Sequence, residues 1–590
     1  MTTLARAWPA PSVPFDVVVV GGGVTGVNVA REAAGRGLRT LLLERDDFGA
    51  GTSAATTKYI HGGLRYLEQR QLRVVRESLR ERRLLGLGAP HLVMPRTFVL
   101  PAWRWSRPPT ALLGAGVGLY EALSWDRNRE APADRRVPRA RWAGRREVLR
   151  RVPWLDRREL SGGFLFTDFL NVHPERLLLT MLRSAVAQGA RALNHARVTG
   201  LLTQEASGTA GRRVVGVRVR DELDGTEREI RARVVVNATG PWVGELLATL
   251  PGPAQRRVRT SKGVHLLLGD LGGSDPVLAR TRAGGHVVVS PWQGLSLVGP
   301  TDDEVSGPVD DVHADAGDAA LDLDVLNGTL DPAVRPRTLD DVAWVTVGVR
   351  PLVVGTGAEE GADSYSSSRR AEWVDHGTGL WTVTGGKWTT GRATAAGLLA
   401  ALTEGPAAPL PAVRAFDSTR TRLDPFGGDV PLPASHLRAS GLDRDVVAHL
   451  RRLHGSTAAQ VVAIAAARPA LAARLSSRPG RLDVAAQVVH AVTHESARTL
   501  DDVVDRRLVL GTLGPPTRDE LTAVAAAAAP LLGWDDGAAA AAVQDRLDRD
   551  AAVLAALRAG PAPLPAAGQS RRLAASQPAT SSGRRGPTPT

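Results

Sequence analysis

Three glycines spaced Gly21-x-Gly23-x-x-Gly26 follow the apolar run 17–20, and an acid, Glu44, closes the next apolar run. A turn of this kind brings backbone N–H groups and a helix N-terminus up to a pyrophosphate, and an acid at about this distance accepts hydrogen bonds from ribose hydroxyls. The chemistry on offer is dinucleotide binding. The cations are also unevenly used. Of 74 Lys+Arg residues only Lys58, Lys262 and Lys387 are lysines, each inside a Gly- or Thr-rich motif. A chain that otherwise relies on arginine is expected to keep lysine where a compact ammonium is required.

These residues need elements to hold them. Residues 15–44 read as strand, Gly-rich turn, helix and strand, one βαβ half-unit. A helix pattern begins at Pro174, and strands follow near Val198 and over 214–219. The apolar run 234–236 then ends in Asn237-Ala238-Thr239-Gly240, strands and loops dominate 255–355, and a last strand over 380–384 runs into Gly385-Gly386-Lys387 and an Ala-rich helix. Gly240 and the Gly385-Gly386 pair look like distant parts of one site completed by the chain's return. No second Gly-x-Gly-x-x-Gly opens a separate nicotinamide domain, so FAD is the expected dinucleotide. A Pro-rich linker is expected at 405–415, a helical unit over 416–558, and a disordered tail at 559–590, rich in Pro, Ser, Gly and Arg.

Composition narrows the classes. A chain of 590 residues exceeds the size of one growing core, so two or three units are expected. The absence of cysteine excludes disulfides and thiol chemistry. No apolar run approaches the ~20 residues of a membrane span, and residues 1–14 lack a signal-peptide pattern, so a cytoplasmic address is expected. The net charge of +13 suits anionic partners, and an arginine-biased composition would also produce it. Arginines are scattered among acids, which argues against a nucleic-acid partner. The apolar stretch 111–119, flanked by Trp and Arg, is short and Gly-rich. It is expected to be a buried helix, with a peripheral contact between segment 103–127 and the anionic inner face of the membrane as the rival expectation.

The run Gly51-Thr52-Ser53 with Thr57-Lys58-Tyr59-Ile60-His61-Gly62-Gly63-Leu64-Arg65-Tyr66-Leu67-Glu68 closely resembles the signature of FAD-dependent glycerol-3-phosphate dehydrogenases. Further motifs come in that family's order: Asn237 to Trp242, Ser261-Lys262-Gly263-Val264-His265, Pro291-Trp292, Gly348-Val349-Arg350-Pro351-Leu352, Gly385-Gly386-Lys387, and the helical stretch 497–507. The resemblance spans roughly residues 15–540. It implies an α/β fold: a glutathione-reductase-like FAD-binding Rossmann domain (segments 15–95, 170–255 and 345–404) interleaved with a β-rich substrate domain (96–169 and 256–344), plus a C-terminal α-helical cap.

The resemblance implies oxidation of sn-glycerol 3-phosphate to dihydroxyacetone phosphate, with electrons passed to a membrane quinone. Such a substrate needs a phosphate clamp, expected from Arg65, Tyr66 and Lys387, and a proton acceptor at the C2 hydroxyl. His265, which ordinarily titrates near neutrality, and Arg350 are the expected catalytic pair, with their two roles interchangeable. Lys387 also suits the flavin N1–C2=O locus. Gly21, Gly23, Gly26, Glu44, Thr52, Ser53, Gly240, Gly385 and Gly386 are expected to hold the cofactor, and no metal is expected. Lys58 and His61, which flank the Gly-Gly turn, are expected to hold the loop or the cofactor rather than do proton chemistry. Three departures stand out: Gly391 replaces an aromatic of the family pattern, Gly299-Pro300-Thr301-Asp302 replaces Gly-Thr-Thr-Asp, and His173-Pro174 replaces an acidic pair before the 174–189 helix. A glycerol-3-phosphate oxidase using oxygen and a non-catalytic flavin-binding redox sensor are the alternatives. A homodimer is compatible with the sequence.

Overall fold

The computed structural model describes residues 3–10, 13–205, 212–250, 259–282, 285–305, 307–352, 371–405, 408–411, 414–427 and 429–559. The uninterrupted Val/Leu runs become parallel strands. Phe15–Val20 lies between Thr40–Leu43 and Glu227–Asn237, parallel to both, and Arg191–Leu193 and Leu380–Thr384 extend the parallel set on either side. Strands covered on both faces read as continuous apolar runs, and Val17 to Val20 and Val234 to Val236 are all buried. Helices Val24–Gly35, Pro174–Ala187 and Gly391–Thr403 pack on one face. The antiparallel strands Ala196–Glu205 and Arg212–Asp221 close a second core on the other. Among the described residues this sheet has eight strands.

A second, ten-stranded sheet is built around the antiparallel pair Val93–Trp103 and Leu160–Asn171 and the pair Arg259–Gly269 and Val342–Leu352. The chain alternates between the two sheets, so the fold is α/β with an interleaved β-rich region. Hydrogen-bond register moves two of the expected boundaries. Val342–Leu352 pairs along its length with Arg259–Gly269, so the returning cofactor segment does not begin at 345. Tyr59–Ile60 pairs with Leu160–Asn171, so the second sheet draws a strand from inside segment 15–95.

The C-terminal helices, from Ala434–Ser440 to Asp536–Arg558, form their own cores around Val461 and Val462 and around Val503 and Val524. They seat on the second sheet through Leu453, Val509 and Leu513 against Leu267, Trp292 and Leu297. Leu410, in the expected linker, is buried in the first core. The tail from 560 onward lies outside the described residues.

The expectation of a buried helix at 111–119 is corrected. Thr110–Leu123 is helical, but only Val117 and Tyr120 are fully buried, with Leu112 60% and Leu119 42% exposed. Its glycines and alanines give it too little apolar bulk on one side to require burial all round. Among the described residues, no helix is long and apolar enough to cross a membrane.

Candidate active site

A cavity of about 650 Å³ begins at the phosphate turn and ends at the Gly62-Gly63 turn. Strand Phe15–Val20 delivers Gly21 to the base of helix Val24–Gly35. A Cβ at Gly21 would fall 2.6 Å from the Ala238 carbonyl oxygen, and one at Gly26 would overlap the Gly21 carbonyl oxygen. Gly26 thus acts through helix–strand packing, whereas Gly21 and Gly23 line the cavity with Val24 and Thr25 of the first helical turn. The helix N-terminus therefore opens onto the cavity, the geometry that suits phosphate.

Glu44 lines the same end. Its Oε2 accepts from the Gly22 N–H at 2.5 Å and its Oε1 from the Asp46 N–H at 2.9 Å. Burial raises its pKa, opposed by those two hydrogen bonds. Ser53 Oγ accepts from the Val24 N–H at 2.9 Å, and Thr52 donates to the Val349 carbonyl at 2.5 Å, tying the loop to the second sheet. Gly240, Gly385 and Gly386 line the cavity as well. Where the family pattern has an aromatic, a Cβ at Gly391 would meet Asn28 and Val24, and Trp388 donates its indole N–H to the Ser53 carbonyl at 3.1 Å.

At the other end, the Leu64–Leu67 turn carries Arg65 and Tyr66 into the cavity. The Lys387 ammonium lies 4.3 Å from the Tyr66 ring centroid and donates to Ser78 Oγ at 2.6 Å. Tyr120 OH donates to Asp168 at 2.7 Å and accepts from the Gly62 N–H at 2.9 Å, and Arg82 also holds Asp168, so a buried group fixes the turn that bears Arg65.

Arg350 crosses the strand Arg259–Gly269 at Gly263, where a Cβ would overlap its guanidinium. Asp302 accepts from it at 3.1 Å, the Thr301 carbonyl at 3.2 Å, and Ser261 is hydrogen-bonded to Asp302 in turn. Asp302 and Ser261 went unassigned in the sequence because the brace forms only when three segments meet.

His265 is buried in the cavity wall, and neither ring nitrogen has a hydrogen-bond partner among the described residues. Burial, reinforced by Arg350 and Lys58, pushes it down to about 3. Its titration near neutrality therefore does not survive folding, and it is a neutral imidazole throughout the physiological range. His61, expected to hold the loop or the cofactor, lines the cavity. Burial, against the pull of Asp168, leaves it at about 4. Of the lysines, only Lys387 lines the cavity. Lys58 is buried against Glu175 at 3.2 Å, and Lys262 pairs with Asp318 at 2.8 Å.

These residues fit a flavin dinucleotide. The glycine turn leaves room against the backbone, the acid stands at the next strand end, and a buried histidine with two unmet ring nitrogens lines the same space.

The C-terminal helices reach this site through ions. Asp47, fully buried three residues after Glu44, accepts from Arg507 and from Arg506 at 2.6 Å and from Asn194 at 2.9 Å. A π-helical turn, Asp502–Arg507, presents both arginines. His195 contacts Asp502 at 2.8 Å. Burial works against the charged imidazole, but Asp502 and then Asp47 outweigh it and raise the His195 pKa. A raised folded-state pKa stabilises fully below the unfolded value of about 6.5 and is lost as pH climbs through the folded value. Thermal or urea unfolding of His195→Gln should therefore show a deficit of about 1.5 kcal/mol below pH 6.5 that narrows as pH rises. A deficit independent of pH would remove the charge from this account.

Comparison with known proteins gives matching family models over most of the chain. Residues 16–402 match the FAD dependent oxidoreductase family and residues 420–539 the C-terminal domain of alpha-glycerophosphate oxidase. The chain is 36% identical over 531 residues to glycerol-3-phosphate dehydrogenase 2 of Mycobacterium tuberculosis (strain ATCC 25618 / H37Rv), covering 88% of this chain and 85% of the relative. It is 31% identical over 546 residues to the human mitochondrial glycerol-3-phosphate dehydrogenase, covering 88% of this chain and 71% of that one. In fold it is similar to the glycerol-3-phosphate dehydrogenase from Bacillus halodurans complexed with FAD, with a TM-score of 0.71 at 24% identity, covering 93% of this chain and 96% of that one.

Proposed function

Since the chain belongs to the FAD-dependent oxidoreductase family, within its glycerol-3-phosphate dehydrogenases, we propose that it oxidises the C2 alcohol of sn-glycerol 3-phosphate to dihydroxyacetone phosphate and passes the electrons to a membrane quinone. The observation that carries this reading is the meeting of Arg65, Arg350 and Lys387 with an unpartnered, neutral His265 in the cavity that starts at the phosphate turn.

The Gly21 turn, Glu44, Gly240 and Gly385-Gly386 would hold FAD, which when bound would supply a two-electron acceptor for the C2 hydrogen as hydride. Arg65 and Lys387 receive the phosphate dianion, one as a planar fork and the other as a point charge. The Tyr66 ring packs beneath the Lys387 ammonium and limits where it can move. Arg350, held in line by Asp302, donates to the C2 oxygen as it becomes a carbonyl. His265 takes the hydroxyl proton. Being neutral it is ready to accept, and being weakly basic it passes the proton on rather than storing it.

Anaerobic absorbance of the purified holoprotein tests the proposal. Addition of sn-glycerol 3-phosphate should bleach the visible flavin band, whereas glycerol or lactate should not. A band unaffected by sn-glycerol 3-phosphate would exclude this substrate and favour a redox sensor. One observation favours oxygen as a rival acceptor, the match of residues 420–539 to the alpha-glycerophosphate oxidase C-terminal domain. Peroxide released in step with turnover under air would establish oxygen in place of quinone.

A further inference from the structure

Helix Leu72–Gly88 carries three buried polar side chains, Ser78, Glu81 and Arg82, and each of them serves one arm of the proposed phosphate clamp. Positions three and four apart on a helix stand side by side, so the three share one face. Arg82 holds Asp168, and Asp168 accepts from the Gly62 N–H at 3.1 Å, three residues before Arg65. Glu81 accepts from Arg392 through both oxygens, at 2.6 and 2.7 Å, five residues after Lys387. Ser78 meets Lys387 itself and accepts from its ammonium at 2.6 Å. A single turn of helix therefore grips the two clamp-bearing turns, which are far apart in the chain. Ser78 and Arg82 are separated by about 6 Å of helix axis, a spacing that a rigid element holds constant.

The serine is arranged to receive a cation. Its hydroxyl is fully buried and donates to the Val74 carbonyl at 2.7 Å, one turn back. With its proton committed there, the oxygen has only lone pairs to offer, and these suit an ammonium. A mid-helix serine bonded back to its own helix stabilises that helix less than alanine would, and a hydroxyl in an apolar core costs free energy without a partner. The neighbours Val75 and Leu79 are such a core, packed with Tyr66 and Tyr120. Lys387 is the partner that satisfies the oxygen, and its ammonium also lies 4.3 Å from the Tyr66 ring centroid. Nothing in the local sequence marks Ser78, because the contact forms only when the chain returns at Gly385-Gly386.

We propose that Ser78 is a positioning residue for the substrate phosphate. It holds the Lys387 ammonium in place before the substrate arrives, so that the gap between Lys387 and Arg65 already matches a phosphate monoester. The inference deepens the substrate reading and rests on it. A lysine on a flexible stem loses rotamer freedom when it is ordered around a ligand, and a tether that orders it beforehand removes that cost from binding. The phosphate is one carbon removed from the reacting C2 and does not change charge during hydride transfer. Its contacts therefore act equally on the bound substrate and on the transition state, and Ser78 acts on KM and leaves kcat alone.

Steady-state kinetics and phosphate binding on the full-length holoprotein test it. In Ser78→Ala the KM for sn-glycerol 3-phosphate should rise about tenfold, the loss expected when a charged group gives up one hydrogen bond. Flavin content should be full and kcat should stay within about twofold of the parent. Calorimetric titration with inorganic phosphate, which involves no turnover, should show a matching loss of affinity. Val75→Ala, three residues earlier on the same helix and fully buried, is the structural control: it should lower the melting temperature and leave KM where it was. Unchanged KM and phosphate affinity in Ser78→Ala, or a fall in kcat with KM unchanged, would overturn the proposal. An equal rise of KM in Val75→Ala would overturn it too, since loosening of the helix would then explain both variants. Failure of the substrate reading has its own signature: a parent holoprotein that neither bleaches with sn-glycerol 3-phosphate nor binds inorganic phosphate has no phosphate clamp, and the role of Ser78 falls with it.

Discussion

Replacing Arg350 with methionine is expected to cut kcat/KM for sn-glycerol 3-phosphate by about 10²–10³-fold, the loss typical when one donor to a developing oxygen charge is removed. Flavin content should be unchanged, because the phosphate turn and Glu44 lie at the other end of the cavity. Methionine keeps the volume and removes the five N–H donors. Gly263→Val should give a similar loss with Arg350 still present, since a side chain there takes the guanidinium's space. Steady-state kinetics on the two flavin-loaded variants decides the matter. If methionine at 350 leaves kcat/KM intact, the Arg350–Asp302 pair is a structural brace and not part of the substrate site.

Gly26→Ala should produce an essentially flavin-free protein. The added Cβ would overlap the Gly21 carbonyl oxygen, and neither strand Phe15–Val20, hydrogen-bonded on both edges, nor helix Val24–Gly35, buried along nearly all its length, can give way. Whichever element shifts, the first helical turn leaves the phosphates. The ratio of flavin absorbance to protein in the purified variant measures the effect, and circular dichroism separates cofactor loss from unfolding. A folded variant with a full complement of flavin would contradict the packing role assigned to the third glycine.

Much of this was legible in the chain because it is local. The glycine turn needs six residues, Glu44 follows one strand later, and the Gly62-Gly63-Leu64-Arg65 run carries its own signature. The cofactor site also announced its scattered parts, since Gly240 and Gly385-Gly386 each end an apolar strand. What stayed hidden depends on distant residues meeting. His265 loses its ordinary basicity through burial and the Arg350 charge, neither of which strand periodicity reveals. The brace of Arg350 by Asp302 and Ser261 draws on three strands and loops. Lys262 shares its motif with His265, yet register turns it toward Asp318. The stretch 111–119 misled because apolar composition does not say how much of a Gly-rich helix a neighbouring sheet will cover.

The Asp47–Arg507 contact joins residues 460 positions apart. At roughly 5–20 residues per second, a ribosome completes the second partner about half a minute to a minute and a half after the first. Until then Asp47, three residues after Glu44, lacks its counter-ions and stays hydrated. A chain interrupted before residue 506 lacks both arginines, so the cavity end that Glu44 lines cannot acquire the ion pairs that Asp47 makes in the finished fold.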